Sequence, residues 1–587
     1  MKKITILLIV ALAGCAPLSH QQNSTGNTEK KAVHGYAKKR VVEKLDRGLI
    51  AMPIEPGKVY VSWRLLKNDP DDIAFDVFRA RDAESPVKLN KAPIVTTTDF
   101  VDSSAPADGN LAYWVHPSGK RISSGSSGRV EVKAGTPVRP YFSFPLQGNY
   151  TFQKAGIADL NGDGQYDFVV KQPNENIDPY EKYWKPSPNT YTLEAYLHDG
   201  TFLWHKDLGW SIERGIWYSP YLVFDFDGDG KAEVAVKTGE GDPRDPDGRV
   251  QSGPEYLSIW DGMTGEEKAR TPWLDRLPRY NFSSRNQLGV AFLDGKTPCL
   301  MMARGTYSEM YLTAYQYHKG ELKVLWNWSN IHEGKESRGQ GAHFMHCADV
   351  DADGRDEIIL GSCVIDDTGA QLWTTGLGHP DHCYVGDIDP AHPGLEIYYG
   401  IERSHVKNSV CLVDAMTGKI LWGIQEPTIH VHSSGLCSDF DGRHPGMECY
   451  SGEKETPKEK PKRWLHAANG TLLATEQTCD MGLSPRAVFW DADPQREILK
   501  GGCISDFETG NILTNQVEGA DVAWADLGGD WREEIITSVP GELRIYLSTS
   551  PAQNRRICLM QDPIYRVDVA HLSMGYPQPP MTTKNFQ

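Results

Sequence analysis

Basic and imidazole side chains recur in this chain at one phase of a repeat whose landmark is an aspartate. Lys171, Lys237, Arg304 and Lys500 each follow a repeat Asp by 9 to 12 residues; Arg285, His343, His346, His379, His382, His430, His432 and Arg486 precede one by 3 to 9. These types bind anions, and His and Lys also carry protons at neutral pH once their surroundings tune them. The chain has a formal charge of −17. A cationic mouth on an acidic protein focuses the field and draws in an anionic ligand. One surface lysine or one histidine would carry no such meaning; the shared phase does.

The phase is set by an acidic loop. DLNGDGQYD from Asp159, DFDGDGKAE from Asp225 and DVDADGRDE from Asp349 are close copies, and DIDPAHPGLE from Asp387, DFDGRHPGME from Asp439, DADPQREI from Asp491 and DLGGDWREE from Asp526 are weaker ones. A degenerate copy at Asp294 brings the count to eight, spaced 35 to 69 residues apart. Oxygens at alternate positions around a glycine turn suit a hard cation such as Ca²⁺, which takes roughly 6–8 oxygen ligands. The ligands expected from this grammar are Asp159, Asn161, Asp163 and Asp167; Asp225, Asp227, Asp229 and Glu233; Asp349, Asp351, Asp353 and Glu357; Asp387, Asp389 and Glu396; Asp439, Asp441 and Glu448; and Asp491 with Asp493. An EF-hand is excluded, because the closing acid comes too early and the flanks are strands such as GIADL and DFVVK.

Asp/Asn-Gly and Thr-Gly turns keep the same beat: HDGTFLW, DGMTGEE, DDTGAQLW, DAMTGKILW, NGTLLA and ETGNIL, mostly running into apolar strands. Each repeat therefore holds about four strands and two hairpins, which predicts an all-β chain with an eight-bladed β-propeller bearing calcium-binding loops. If the acidic loop joins the first two strands of each blade, the basic residues fall on the opposite face, where that mouth would form.

Lys2, Lys3, the apolar run from Ile4 to Val10 and Leu12-Ala13-Gly14-Cys15 match a bacterial lipoprotein signal over 1–15, with Cys15 lipidated after cleavage. That predicts a lipid-anchored envelope protein at the outer membrane, periplasmic or surface-facing. Residues 16–41 are polar and read as a tether. Over 42–135, VYVSWRLL, IAFDVFRA, LAYWVHP and RVEVKAG lack acidic loops and fit a small fibronectin-like β-sandwich. The propeller takes 136–587. Ten cysteines besides Cys15 sit mostly in strands as small apolar residues. A monomer is expected, and no basic domain or motif points to nucleic acid.

The strings QGNYTFQKAGIADLNGDGQYDFVVK, GQGAHFMHCADVDADGRDEIILGS, TGLGHPDHCYVGDIDP, ADLGGDWREEIIT and QDPIYRVDVAHLSMGYPQPP resemble polysaccharide lyase family 11, the rhamnogalacturonan lyases, and the likeness runs from Leu45 to Pro580. The resemblance implies an eight-bladed propeller with several calcium ions, an N-terminal sandwich, and β-elimination in a rhamnose–galacturonate backbone. It implies that Tyr576 contacts substrate or transfers a proton, and that His343 and His379 help hold calcium. It also breaks in places. The family's Asn-Gly-Thr-Lys run is Gln516, Val517, Glu518 and Gly519 here; an expected Arg is Ser433 or Ser434; and an expected Asn and Asp fall near Gln153 and Pro173.

β-Elimination needs a cation on the uronate carboxylate, a base for the C5 proton and an acid for the leaving oxygen. The expected roles are base for His430 or His432, acid for Tyr576, and substrate binding for Lys171, Lys237, Arg304, Arg486, Lys500, Arg285 and His382. An altered cleft also fits another rhamnose–uronate polymer such as ulvan. The departures leave room for a non-catalytic surface glycan-binding lipoprotein. DAMTGKILW resembles a tryptophan-docking repeat of quinoprotein dehydrogenases, but no adjacent cysteine pair accompanies it.

Overall fold

The structure is a computed structural model that describes residues 32–118, 127–455 and 461–584. The lipoprotein signal, Cys15 and the first part of the tether lie outside these residues.

Short runs of β-branched and aromatic residues, each closed by a Gly/Asp turn, form an all-β chain. From Lys154 onward the strands assort into eight four-stranded antiparallel sheets. Seven sheets use four consecutive strands each. They begin with Lys154–Ala158, Tyr221–Phe224, Asn286–Ala291, Gly341–Ala348, Pro380–Gly386, Leu436–Ser438 and Arg486–Val488. The eighth contains Ala520–Ala525, Glu534–Val539 and Glu542–Tyr546, and takes its fourth strand, Tyr141–Pro145, from before the first sheet. First strands are buried along almost their whole length, as in Gly341–Ala348. Fourth strands are half exposed, as in Glu267–Pro272. Such a gradient arises when inner strands have neighbours on both faces, and first strands of most successive sheets do touch, including those of the eighth and the first.

Every acidic loop connects the first to the second strand of its sheet, and every Asp/Asn-Gly or Thr-Gly turn connects the third to the fourth. The turns also stitch sheets together. Trp204 Nε1 donates to Gly262 O at 2.8 Å, Trp326 to Asp367 O at 2.8 Å, Trp373 to Ala415 O at 2.9 Å and Trp422 to Ala468 O at 2.7 Å. Each acceptor is in a turn of the next sheet. The turn glycine must stay bare: a Cβ on Gly418, at φ +71°, would lie 2.6 Å from the Trp373 ring. The tryptophan motif is thus structural and is used four times, where the sequence displays one good copy.

Two further sheets, of three and four strands, pack around Trp63, Phe75, Val77 and Tyr113. This pair lies against the eighth sheet, where Arg532 donates to Tyr60 Oη at 2.6 Å and Tyr60 Oη donates to Asp530 at 3.1 Å. Residues 32–41 do not behave as a loose tether. Gly35 N donates to Asp294 at 2.8 Å, Tyr36 stacks on His318 at 4.2 Å, and Arg40 lies 3.7 Å over Phe292. The degenerate third loop therefore anchors this segment through Asp294.

A helix, Pro563–His571, runs among the first strands of sheets one to four. Asp562 caps it by accepting from Ile564 N and Tyr565 N, and Pro563 suits its first turn. Its polar residues are buried but matched: Arg566 with Glu43, Asp568 with His346 at 2.8 Å, and His571 with Met345 O at 2.8 Å. A Cβ on Gly575 (φ +54°) would meet His343 O at 2.4 Å. That close approach sets Tyr576 against His343.

All ten cysteines of the described residues are free. No helix among them is long and apolar enough to cross a membrane.

Candidate functional site

Several chain segments converge on the face opposite the acidic loops. His343 comes from the first strand of sheet four; His379 and Asp381 come from the start of sheet five, and Glu402 follows its second strand. His430 and His432 lie in the connection that enters sheet six. Donor atoms of His343, His379 and Asp381, all buried, lie within 4.8 Å of one another, as do those of the half-buried Glu402, His430 and His432.

The hydrogen bonds orient these groups. His379 Nδ1 faces Gly341 O, so the ring takes the tautomer that leaves Nε2 with its lone pair, 3.9 Å from Asp381 Oδ1 and 3.7 Å from Glu402 Oε2. His343 Nε2 lies 3.7 Å from Asp381 Oδ1 and 3.2 Å from Tyr307 Oη. The other Asp381 oxygen accepts from Ser433 N and lies 2.8 Å from His432 Nδ1. His430 Nε2 stands 3.2 Å from His432 Nδ1 and 3.3 Å from Glu402. Burial and neighbouring positive groups hold His343 far below the usual histidine range; burial lowers His379 and His430, with nearby carboxylates opposing. Burial pushes the Asp381 carboxyl up, but the three histidines outweigh it and keep Asp381 ionised.

Aromatic residues wall the cluster. Tyr576 meets His343 edge-on at 5.3 Å and Trp217 at 5.7 Å. Burial and Asp381 raise its phenol well above the usual range. Arg285 stacks on Trp217 at 4.3 Å and faces Tyr307 at 5.4 Å. Its Nη2 bonds Asp178 at 2.8 Å, while Nη1 is buried without a hydrogen-bond partner.

Of the residues singled out in the sequence, Tyr576, His430, His432, His343, His379 and Arg285 come together here. The rest do not join them. Lys237 and Arg304 share Glu255 at 2.6 and 2.7 Å. His382 uses both ring nitrogens, on Ser433 O and Ser451 Oγ, and His346 likewise uses both, on Asp568 and Cys383 O. Arg486 pairs with Asp521, and Lys500 is exposed at a strand end. Lys171 is buried beside Lys154, its cross-strand partner, which sequence reasoning missed; burial and cationic neighbours lower both to about 7. Asp381, Glu402, Tyr307 and Trp217 were also missed. Asp381 carried a signal, since two residues after His379 on a strand points to the same face.

On the loop face the acidic repeats divide. Asp225, Asp227 and Asp229 converge, as do Asp349, Asp351 and Asp353, and Asp351 with Glu357 and the turn residue Asp366. The repeat Asp is held by its own loop, as where Asp225 accepts from Gly228 N at 2.7 Å and Gly230 N at 3.0 Å. The closing acid accepts from the residue after that Asp, as Glu357 does from Val350 N at 2.9 Å. Asp349 Oδ1 and Glu357 Oε1 remain buried and unpartnered. Burial, with neighbouring carboxylates, pushes Glu233 and Glu357 up to about 9. In three of the weaker repeats a basic side chain already stands there. His392 lies between Glu396 at 2.8 Å and Asp414 at 3.3 Å, Arg443 grips Asp441 at 2.6 Å, and Arg532 grips Asp530 at 2.6 Å. Glu396 and Asp441, expected from the sequence to serve a metal, thus each face a basic side chain. Glu534 closes its loop in the same way, and Glu497 accepts from Trp490 N, just before Asp491; neither was foreseen.

Residues 143–586 match the rhamnogalacturonan lyase family 11 C-terminal domain, and residues 40–132 match the rhamnogalacturonan I lyases beta-sheet domain. The rhamnogalacturonan endolyase YesW of Bacillus subtilis (strain 168) is 35% identical, over 93% of this chain and 91% of the relative. The rhamnogalacturonan exolyase YesX of the same organism is 34% identical, over 93% and 95%. The crystal structure of YesX superposes with a TM-score of 0.82, covering 93% of this chain and 97% of the other at 32% identity.

Proposed function

The chain belongs to rhamnogalacturonan lyase family 11 and is a polysaccharide lyase, and from that premise we propose that it cleaves the rhamnose–uronate backbone of rhamnogalacturonan I by β-elimination, leaving unsaturated uronate ends. In this reading the eight sheets are blades of a propeller, and His343, His379, Asp381, Arg285 and Tyr576 line its mouth. The carrying observation is Arg285: a buried guanidinium with one unpartnered nitrogen, stacked between Trp217 and Tyr307 beside the histidine cluster, is built to receive a carboxylate.

The other roles follow from the hydrogen bonds. His432, steered by Asp381, and His430, kept neutral by burial, are the candidate bases for the C5 proton. Tyr576 stays protonated across the working range and can donate to the leaving oxygen. His343, His379 and Asp381, with Glu402 3.7 Å from His379, form a mixed nitrogen and oxygen set suited to a divalent cation, and the buried, unpartnered His379 Nε2 fits that use. A cation held there would neutralise the uronate carboxylate and acidify the C5 proton. The oxygen-only loops at Asp225 and Asp349 suit Ca²⁺, which would pin their hairpins and reverse the carboxylate crowding. The Cys15 signal would place the enzyme on the cell envelope through a lipid anchor.

The test is ultraviolet absorbance of the unsaturated uronate on a panel containing rhamnogalacturonan I, homogalacturonan and ulvan. Absorbance should rise on rhamnogalacturonan I, and Tyr576→Phe should lower kcat by about 10²-fold. A rise on ulvan alone would move the substrate to the rhamnose–glucuronate polymer. Binding with no rise on any polymer would leave a glycan-binding protein instead.

A further inference from the structure

Both modes of attack, endolyase and exolyase, occur among the relatives, so what lies beyond the reacting uronate must be read from this chain. The connection between the second and third strands of the first sheet, residues 173–191, is long and rises beside the mouth. It is firmly held. Asp178 bonds Arg285 at 2.8 Å, Asn176 accepts from Ile216 N at 3.0 Å, Glu175 pairs with Arg214 and Lys185, and Trp184 Nε1 donates to Glu213 at 3.2 Å. Asp178 also accepts from Tyr180 N at 2.8 Å, and Tyr180 O accepts from both Tyr183 N and Trp184 N at 2.9 Å, so the tip is a closed turn.

That anchored turn displays two large aromatic rings to solvent. Tyr180 is 44% and Tyr183 49% exposed, and their rings meet edge-on at 5.8 Å. Exposed aromatics grouped on a fixed loop mark a contact surface more often than isolated ones do. Two cations flank them. Lys182 Nζ lies 5.3 Å from the Tyr183 ring, and Lys454 Nζ lies 6.0 Å from it. Lys454 comes from the far side of the mouth: its backbone N–H donates to His430 O at 2.9 Å. The tip is therefore continuous with the site on both sides, through Asp178 to Arg285 and through Lys454 to His430.

We propose that Tyr180 and Tyr183 form a sugar subsite, stacking on the apolar face of a pyranose next to the reacting uronate, with Lys182 and Lys454 selecting an acidic chain. The inference rests on the lyase reading for the identity of the chain. A flat ring of C–H groups covers a tyrosine face well, and two fixed tyrosines give that area at low cost in side-chain entropy. The subsite binds but takes no part in proton transfer, so its loss should weaken binding and raise KM on long chains while kcat holds.

Binding and cleavage are measured separately on the full chain, with purified rhamnogalacturonan I oligosaccharides of increasing length as the probe. Calorimetry on Tyr180→Ala/Tyr183→Ala should show binding weaker by about tenfold for long oligosaccharides, with little change for the shortest that binds. The Phe/Phe variant should restore it, and melting temperature should stay within error of the parent. Equal affinity of the Ala/Ala variant and the parent at every length would overturn the subsite. A parent that binds through these tyrosines but releases no unsaturated product would overturn the lyase reading and leave the subsite standing.

Discussion

The acidic-loop face and the mouth are both rich in carboxylates, but they balance charge by different means. On the loop face the hydrogen bonds to the repeat carboxylates come mainly from backbone N–H groups a few residues away, as at Asp159, Asp225 and Asp349. In the mouth, Asp381 faces His379 from its own segment, His343 from another sheet, and His432 and Ser433 from the connection into sheet six. A local motif can be copied sheet after sheet and drift with little harm, as in the weaker repeats where His392 or Arg443 faces the acidic residues. The mouth has no such redundancy. Damage to the first face should lower stability, whereas damage to the second should lower activity.

The largest effect is expected from Asp381→Asn, which keeps the shape but removes the charge that steers His432 and faces His343 and His379. kcat/KM should fall by about 10³-fold with only a small change in melting temperature. An activity within a few-fold of the parent would break the contrast. Chelation comes next. Stripping divalent cations should lower the melting temperature by several degrees, and calcium should restore it. Asp351→Asn should blunt that response, and His392→Gln should leave it intact, since His392 rather than a metal faces Glu396; equal blunting by both would show that the two kinds of loop are one.

The smallest effect concerns Lys154, buried with its ammonium donating to Met574 O at 3.1 Å and Lys171 as its cross-strand partner. Its folded pKa, about 7, lies below the unfolded value, so the unfolded chain binds more protons between those two values and stability rises with pH across that window. Lys154→Met should therefore stabilise the protein at pH 7, and the gain should shrink toward pH 9. A gain that grows with pH would reverse the assignment.

The same contrast explains what could be read in advance. The eight loops and the face each residue occupies were legible because the loop grammar is local and its beat regular. His343, His379, His430, His432, Arg285 and Tyr576 were legible by phase or by resemblance. Phase gives a side, however, and not a partner. Lys237 and Arg304 sit at the expected phase and are consumed by Glu255, while His382 is consumed by Ser433 and Ser451, all brought in by the chain's long-range course. Glu402 was invisible because nothing in its local sequence marks it. Pro563–His571 gave no amphipathic stripe, since a helix enclosed by strands buries every face and pairs its polar groups instead. The repeated tryptophan stitch was hidden by sequence distance, Trp204 and its acceptor lying 58 residues apart.

The fourth strand of the eighth sheet, Tyr141–Pro145, precedes the other seven sheets in the chain yet pairs with Glu542–Tyr546. During synthesis that early segment must wait unpaired until nearly the whole polypeptide has emerged, and its exposed edge invites mispairing meanwhile. Closing so long a loop is entropically unfavourable and slow relative to local hairpins. The last step of maturation is therefore a latch between the two ends of the domain, and truncations at either end should leave an open, aggregation-prone array rather than a smaller working enzyme.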